Sequence, residues 1–536
     1  MIDRRHFLLP LLAVLLLAAC APIPIIKEKY PHSGKKKKVH MIKKGSDTTA
    51  VVKEVEYFEN GRISLEAKRK GFSREGKFSE FHFNGKQYIK GKYSKNMKTG
   101  KWQFYSSVGV LDSVRSYKND MLDGKWQNFE NGILIEQKSF KKHRLNGKFK
   151  THYSDGAKKA KGRYKDNLPE GEWMWWQQDG SKLRKVTYLK GLKSGEVAIW
   201  DTDGSVSLSG TYRLDNRQGE WKWFREGKQL DSLVTYEEDI PHGPIRQWHK
   251  NGQLAMEGEF TNGLADGEWI WYAKTGQLDS LKTFSKGVLN GLYEVYHPNG
   301  RLALSQNYTQ ATLEGLMQSF YPSGEKESLW TYEKGARSGP YILWRPSGEM
   351  EEEGTFFQDQ AEGNIRRWYS SGMPSSDAGF FGGMLHGVFR VYSPSGALIR
   401  EQYTLEGIPH SRFEYHGNGH LKSVKIFDGE EVAMQYSWNS MGVEKVADNQ
   451  VSGTYTKEDL YPNGNVHKRV TYKQNKKHGI SWEYGQGRQV LSMEIFDRGN
   501  KVITRLWKEN NALSIDALYV NDRQVLMIVP PVEEED

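Results

Sequence analysis

The chain offers few side chains in arrangements that could perform covalent chemistry. Cys20 is the single cysteine in 536 residues, so its thiol is the one strong nucleophile and no disulfide can form within the chain. The sequence contains no His-Glu-x-x-His zinc motif, no Gly-x-Ser-x-Gly nucleophile elbow and no phosphate-binding Gly-x-x-x-x-Gly-Lys-Ser/Thr loop. Histidines recur at one position of a repeat, where a turn explains them better than a metal does: His242, His386, His410 and His478. We predict a protein that is not an enzyme and has no cofactor, catalytic site or metal site.

The first 20 residues form a segment of different composition. After a short basic start, Phe7–Ala19 is an apolar run that is too short to span a bilayer and is typical of a secretory signal peptide. The residues Leu17-Ala18-Ala19-Cys20 resemble the bacterial lipobox. That resemblance implies cleavage before Cys20, acylation of its thiol and amino group by palmitate-like chains, and a membrane-anchored lipoprotein. An ordinary signal peptide followed by a chance cysteine is the alternative.

The residues after Cys20 bear on where the protein is placed. Ala21 stands where sorted lipoproteins retained at the inner membrane carry Asp, so the resemblance implies the outer membrane. The next residues lack an early acidic cluster, which favours the periplasmic face over the cell surface. Residues 20–50 are rich in Pro and Lys, and we predict an acylated cysteine on a flexible tether with a reach of about 30 Å. Lys35–Lys38 could touch anionic headgroups or simply be solvated.

Composition limits the class of protein. Hydrophobic residues make up 37%, which is low for one large core, but aromatic residues reach 12%, which excludes a disordered chain. The 55 glycines suggest many turns between short strands. The net charge is +11, and Lys and Arg are interspersed with Asp and Glu, so we interpret the charges as a solvated surface and predict no nucleic-acid partner.

Glycines recur every 24 residues along most of the chain. In most repeats an aromatic residue follows five positions later, a polar turn ending in Gly follows at nine, and another aromatic closes the second strand at seventeen. Three residues further on, Gly, Asn or Asp marks a second turn with a left-handed backbone. The best-defined repeat glycines are Gly171, Gly195, Gly219, Gly243, Gly267, Gly291, Gly315 and Gly339.

This spacing predicts an all-β fold. We expect an elongated, twisted single sheet or solenoid of about 19–20 antiparallel β-hairpin repeats, each stabilised by its neighbours because one hairpin is not stable alone. From Gly210 to Gly354 alternate repeats differ, which indicates a 48-residue period whose cause could be unequal bulges. The predicted segments are a signal peptide at 1–19, the tether at 20–50, a regular array at 51–430, degenerate repeats with a C-terminal cap at 431–529, and an acidic tail at 530–536.

The repeat resembles a known family. Gly267–Gly291 reads GEWIWYAKTGQLDSLKTFSKGVLNG and is similar to MORN-type repeats, above all to the bacterial variant found in YwqK-like antitoxin proteins. The resemblance implies a sheet of hairpins used for contact with proteins or membranes. An antitoxin role fits the export signal poorly, because antitoxins usually act in the cytoplasm.

Three functions are compatible with these features. The first is a lipid-anchored envelope scaffold, held to the membrane by acylated Cys20, that binds an envelope protein. The second is a cell-wall or polysaccharide-binding lipoprotein that uses an exposed aromatic stripe, and the third is a toxin-neutralising protein. The candidate ligand or partner face consists of tryptophans four and two residues into the repeats: Trp175, Trp223 and Trp271, and Trp173, Trp221 and Trp269. All six share one strand face, opposite to the aromatic five residues into the repeat, and one of these two opposing sets is expected to be exposed.

Overall fold

A computed structural model describes most of the chain. The described residues are 21–225, 229–441, 453–508, 513–520 and 523–528. Within these ranges every regular element is a β-strand, so the predicted all-β fold class is confirmed. The signal segment, Cys20 and the acidic tail lie outside the described residues.

The chain divides into two compact units, one of residues 1–266 with 274–276 and one of residues 267–273 with 277–536. The strands of the first unit are β1 Ile23–Lys29, β2 Lys36–Ile42, β3 Val51–Tyr57, β4 Ile63–Lys70, β5 Ser73–Phe81, β6 Gln87–Ser94, β7 Met97–Tyr105, β8 Leu111–Lys118, β9 Met121–Glu130, β10 Ile133–Lys141, β11 Arg144–Leu145, β12 Gly147–His152, β13 Lys158–Lys165, β14 Leu168–Pro169, β15 Gly171–Trp176, β16 Lys182–Leu189, β17 Leu192–Trp200, β18 Val206–Arg213, β19 Asn216–Arg225, β20 Gln229–Glu237, β21 Ile240–Trp248, β22 Leu254–Thr261 and β23 Leu264–Ala265.

The strands of the second unit are β24 Gly267–Tyr272, β25 Leu278–Ser285, β26 Val288–Tyr296, β27 Leu302–Thr309, β28 Thr312–Phe320, β29 Lys326–Glu333, β30 Ala336–Arg337, β31 Gly339–Trp344, β32 Met350–Phe357, β33 Gln360–Trp368, β34 Pro374–Phe381, β35 Met384–Tyr392, β36 Leu398–Leu405, β37 Ile408–Tyr415, β38 Leu421–Asp428, β39 Glu431–Ser437, β40 Thr454–Leu460, β41 Val466–Lys473, β42 Lys476–Tyr484, β43 Val490–Asp497, β44 Asn500–Trp507, β45 Leu513–Val520 and β46 Arg523–Ile528.

Two kinds of turn alternate along both units and join antiparallel neighbours. The first is a three-residue loop whose glycine is left-handed: Gly300 has a φ of 81° and its N–H donates to the carbonyl of His297 at 2.8 Å. The second is a two-residue loop with both residues left-handed, as at Leu214 and Asp215, with φ of 52° and 71°. Such turns match the right-handed twist of the paired strands. The left-handed second turn predicted from Gly, Asn and Asp is confirmed at Asp215 and its equivalents.

One column of cross-strand pairs accounts for the difference between alternate hairpins around Gly210. A Cβ on Gly210 would lie 2.4 Å from the ring of Trp221, so the glycine provides the space that the indole fills. In the preceding hairpin the equivalent pair is Val186 and Val197, which are directly opposite each other. A glycine with a tryptophan and two valines fill comparable volumes, so both pairings pack without voids.

The N-terminal segment differs from the prediction of a flexible tether over residues 20–50. It contains β1 and β2, which pair with each other and, through β2, with β3. Val39 and Ile42 are buried at 3% and 8% exposure. The prediction of a tether relied on the high lysine content and overlooked these apolar residues. Because they are buried in paired strands, the hairpin array begins at Ile23.

The strands of the second unit belong to two sheets, one that includes β24–β39 and one formed by β40–β46. The residues of the two sheets share one apolar core, and Phe413, Val424, Ile495 and Ile503 within it have no exposed surface. The C-terminal strands therefore pack against β36–β39, in the region where the sequence predicts degenerate repeats and a cap.

Candidate interaction surfaces

The sheet of the first unit has two chemically distinct faces, because side chains alternate between them along each strand. We define the tryptophan face as the one that carries Trp102, Trp173 and Trp221. We define the charged face as the opposite one, which carries Lys101 and Glu172. Direct cross-strand pairs run from β5 to β20 on both faces, so each face is continuous within this unit.

The tryptophans two residues into the repeat are structural. Trp173, Trp221 and Trp269 have exposures of only 5%, 3% and 8%. The Trp173 ring covers Gly162, and the indole N–H donates to the carbonyl of Arg163 at 3.2 Å. Their burial leaves these three rings unable to contact a partner.

The tryptophans four residues into the repeat, Trp175, Trp223 and Trp271, are half-buried on the same face. Trp175 stacks on Trp173 at a centroid distance of 5.8 Å, and the guanidinium of Arg184 lies 4.2 Å from the Trp175 centroid. A sugar ring stacks on an aromatic face, but neighbouring side chains already cover the faces of Trp175.

A cation two residues before the repeat glycine caps an aromatic ring, an arrangement that the sequence analysis missed. The Arg217 guanidinium lies 3.8 Å from the centroid of Tyr236, and its Nε donates to Asp239 at 2.9 Å. In the second unit, Arg337 makes the equivalent contacts: its guanidinium lies over an aromatic ring of β32, and its Nε donates to an aspartate. The backbone N–H and the guanidinium of Arg217 lower the pKa of Asp239. The recurrence of Lys or Arg at this position was the available signal.

All eight repeat glycines have a positive φ, which ranges from 68° at Gly219 to 129° at Gly339. They alternate in their surroundings. A Cβ on Gly195 would lie 2.9 Å from the Cβ of Thr187, whereas one on Gly219 would meet no atom within 4 Å. Gly243, Gly291 and Gly339 lie against a threonine in the same manner, and Gly171, Gly267 and Gly315 have open space. The left-handed backbone is therefore common to all of them, and close packing affects every second one.

A buried charge cluster joins the two sheets of the second unit. Arg505 donates to the hydroxyls of Tyr403 and Tyr415, both at 2.8 Å, and also to Glu401. Burial opposes ionisation of Glu401, but the charges of Arg505 and Arg390 outweigh it and lower the pKa of that carboxyl. No sequence motif marks these residues, and Arg505 and Glu401 lie 104 positions apart in the chain.

Asp516 completes this cluster. Arg505 Nη2 lies 3.1 Å from Asp516 Oδ2, but the carboxylate receives no hydrogen bond from the described residues. Burial, with repulsion from Glu401, raises the pKa of Asp516 to about 8. Burial therefore favours the protonated form of this side chain at neutral pH.

An open polar cleft of 880 Å³ also lies in the second unit, lined by His410, His478, Asp497 and Tyr519 among others. Burial lowers the pKa of both histidines, which favours the neutral imidazole. His478 Nδ1 is 3.4 Å from Asp497. In the described part of the chain no three His, Cys, Asp or Glu side chains are grouped so that they could hold a metal ion. The described residues also include no helix long and apolar enough to cross a membrane.

Comparison with known proteins supports the repeat assignment. Residues 241–262, 289–310 and 313–334 match the family model described as MORN repeat variant. No curated protein matches the chain.

Solved structures give only a weak likeness. A TcdB2-TccC3-TEV crystal structure aligns with a TM-score of 0.14 and 11% identity, covering 97% of this chain and 34% of that one. A Tc holotoxin pore from Photorhabdus luminescens gives 0.13 and 10%, covering 92% and 32%. This chain thus spans about a third of those chains, and the low TM-scores carry no argument about function.

Proposed function

We propose that the protein is a non-enzymatic scaffold of the cell envelope that binds another protein through its hairpin array. The observation that carries the proposal is the unbroken succession of paired hairpins in the first unit, which offers one continuous face for contact. Repeat arrays of this kind commonly serve as extended binding surfaces. The MORN repeat variant matches support the same class of function.

The proposal includes a lipid anchor. Acylated Cys20 would hold the chain at the outer membrane, with the periplasmic face favoured. Several acyl chains, at about 0.8 kcal/mol per buried methylene, give a stable attachment. Because β1 begins at Ile23, only a short linker would separate the anchor from the hairpin array.

The charged face is the preferred contact surface. The tryptophan face is occupied by its own packing, as the burial of Trp173 and Trp221 indicates. On the charged face, Glu196 keeps 75% of its side chain exposed. The polysaccharide-stacking alternative gains less support, because Arg184 and Trp173 cover the ring of Trp175. A toxin-neutralising role remains a prediction.

Site-specific photocrosslinking in envelopes tests the scaffold proposal. Benzoylphenylalanine in place of exposed Glu196 should capture one stoichiometric protein partner. The same group in place of Val197, which is 6% exposed on the opposite face, is the matched control and should capture none. Cys20→Ala should release the chain from the membrane fraction. Capture of no protein from Glu196 in intact envelopes would contradict the scaffold proposal.

A further inference from the structure

Charge is not evenly spread along the chain, in contrast to the interpretation of the sequence. Residues 21–200 contain 40 Lys and Arg against 19 Asp and Glu. Residues 201–536 contain 35 against 46. The modest total charge therefore conceals a strongly basic N-terminal part.

Much of this positive charge lies on the charged face of β5–β13. Lysines at one repeat position, directly after the repeat glycine, form a row that crosses the strands: Lys77, Lys101, Lys125 and Lys148. Cross-strand register adds further exposed cations on the same face: Lys90, Lys92, Lys150, Lys161 and Arg163. We call these nine residues the cation row.

The cation row contains like charges directly opposite each other. Lys77 faces Lys92, and Lys150 faces Lys161. Like charges in this arrangement destabilise a sheet. Among the described residues, none of the nine has an ion-pair partner within 4 Å. No ion pair among the described residues offsets this repulsion.

The hairpins of β15–β20, which follow the cation row, carry acidic residues at the same repeat position. Glu172, Glu196 and Glu220 occupy the repeat position of the lysine row. They are neutralised by neighbours, since Lys185 lies 2.9 Å from Glu196 and Lys222 lies 2.8 Å from Glu220. Among the described residues of β5–β20, the lysines after the repeat glycines have no counter-charge within 4 Å, whereas the glutamates at the same repeat position do, so an anionic partner is what the cation row would bind.

We propose that the cation row binds a linear acidic polysaccharide. Successive lysines of the row are two strands, or about 9–10 Å, apart. Sheet twist of about 20–25° per strand turns the face through roughly 120–150° between Lys77 and Lys148. A flat bilayer would meet only part of such a row, whereas a flexible linear polyanion can follow it. The proposed export to the envelope favours a polysaccharide over nucleic acid.

Binding of fluorescent polygalacturonate to the full chain in non-ionic detergent tests this inference. We expect saturable binding that weakens with added salt, because the contacts are exposed charges. The variant with Lys77, Lys101, Lys125 and Lys148 replaced by Gln should lose affinity by about tenfold or more. The matched control replaces four other exposed lysines by Gln: Lys190, Lys250, Lys274 and Lys334. It removes the same total charge and should bind as the parent chain does.

Each outcome decides the matter. Loss in the row variant alone, with both variants unfolding at the parent temperature, supports the site. Absence of binding by the parent chain, or equal loss in both variants, overturns it. Binding only to single-stranded DNA, or only to phosphatidylglycerol vesicles, also overturns it. The assay is independent of protein crosslinking at Glu196, so its failure would leave the scaffold proposal standing.

Discussion

Two stretches of the first unit, β5–β13 and β15–β20, share one architecture but differ in charge, since the first is strongly basic and the second is balanced. Both place a glycine under a tryptophan, with Gly91 beneath Trp102 and Gly210 beneath Trp221. On the charged face, Lys101 in the first stretch occupies the repeat position of Glu196 in the second. The comparison teaches that the tryptophan face sets the fold, while the charged face is free to vary and so to bind.

The largest expected effect tests the tryptophan face, which the two stretches share. Trp102→Ala and Trp221→Ala should each lower the free energy of unfolding of their own stretch by about 3–5 kcal/mol, because each leaves a cavity above a glycine. Hydrogen exchange of the full chain should show the loss of protection locally.

Trp223→Ala is the matched control for these variants. Its ring is half-buried on the same face, so its removal should cost less than that of Trp221. A large effect in one stretch and none in the other would contradict a common structural role.

The buried carboxyl of Asp516 in the second unit should titrate differently from the exposed glutamates of the charged face. The pKa of Asp516 is raised to about 8, above its unfolded value of about 3.9. The folded chain therefore binds more protons than the unfolded one between these values, and stability falls as pH rises through this range. Asp516→Asn should remove this loss, with a gain over the parent that grows by about 2–4 kcal/mol from pH 5 to pH 8.

Denaturation of the second unit across that pH range measures the effect. Glu220→Gln, on the exposed charged face, is the control and should leave the pH dependence of the second unit unchanged. A gain from Asp516→Asn that is constant with pH would rule out titration of this carboxyl.

The repeat glycines allow a finer test of the 48-residue period. Gly195→Ala should destabilise more than Gly219→Ala, because its Cβ would lie 2.9 Å from Thr187 while that of Gly219 meets open space. The backbone adds to this difference, because Gly195 has a φ of 117°, which alanine tolerates less well than the 68° of Gly219. In the basic stretch, Gly124 and Gly100 differ in the same way, with Ser116 in place of the threonine. Equal losses at Gly195 and Gly219 would show that packing against Thr187 is immaterial.

The smallest expected effect concerns the charges themselves. Lys150→Glu should stabilise the basic stretch by about 0.2–1 kcal/mol, since it places a carboxylate opposite Lys161. Glu196→Lys should weaken the other stretch, because it removes the ion pair with Lys185. Chemical denaturation at low and high salt measures both, and salt should shrink each difference. A loss of stability from Lys150→Glu would break the comparison.

Local periodicity made most of the fold predictable. Glycine spacing identified the hairpins, and Asp215 marked a left-handed turn because few residues tolerate that conformation. The face shared by Trp173 and Trp175 followed from alternation, but their burial did not, because it depends on Gly162 and Arg184 in neighbouring strands. Contacts between distant residues, such as Arg505 with Glu401, left no local pattern.

The pairing of Gly210 with Trp221 limits how such a chain can lengthen or shorten in evolution. Excising a single repeat between Val186 and Gly210 would bring the indole onto a valine, in a space that a glycine now provides. Excising two adjacent repeats would again place a glycine opposite the indole. Gene duplications and deletions in this stretch should therefore be tolerated as pairs, so that the unit of inheritance is two hairpin repeats.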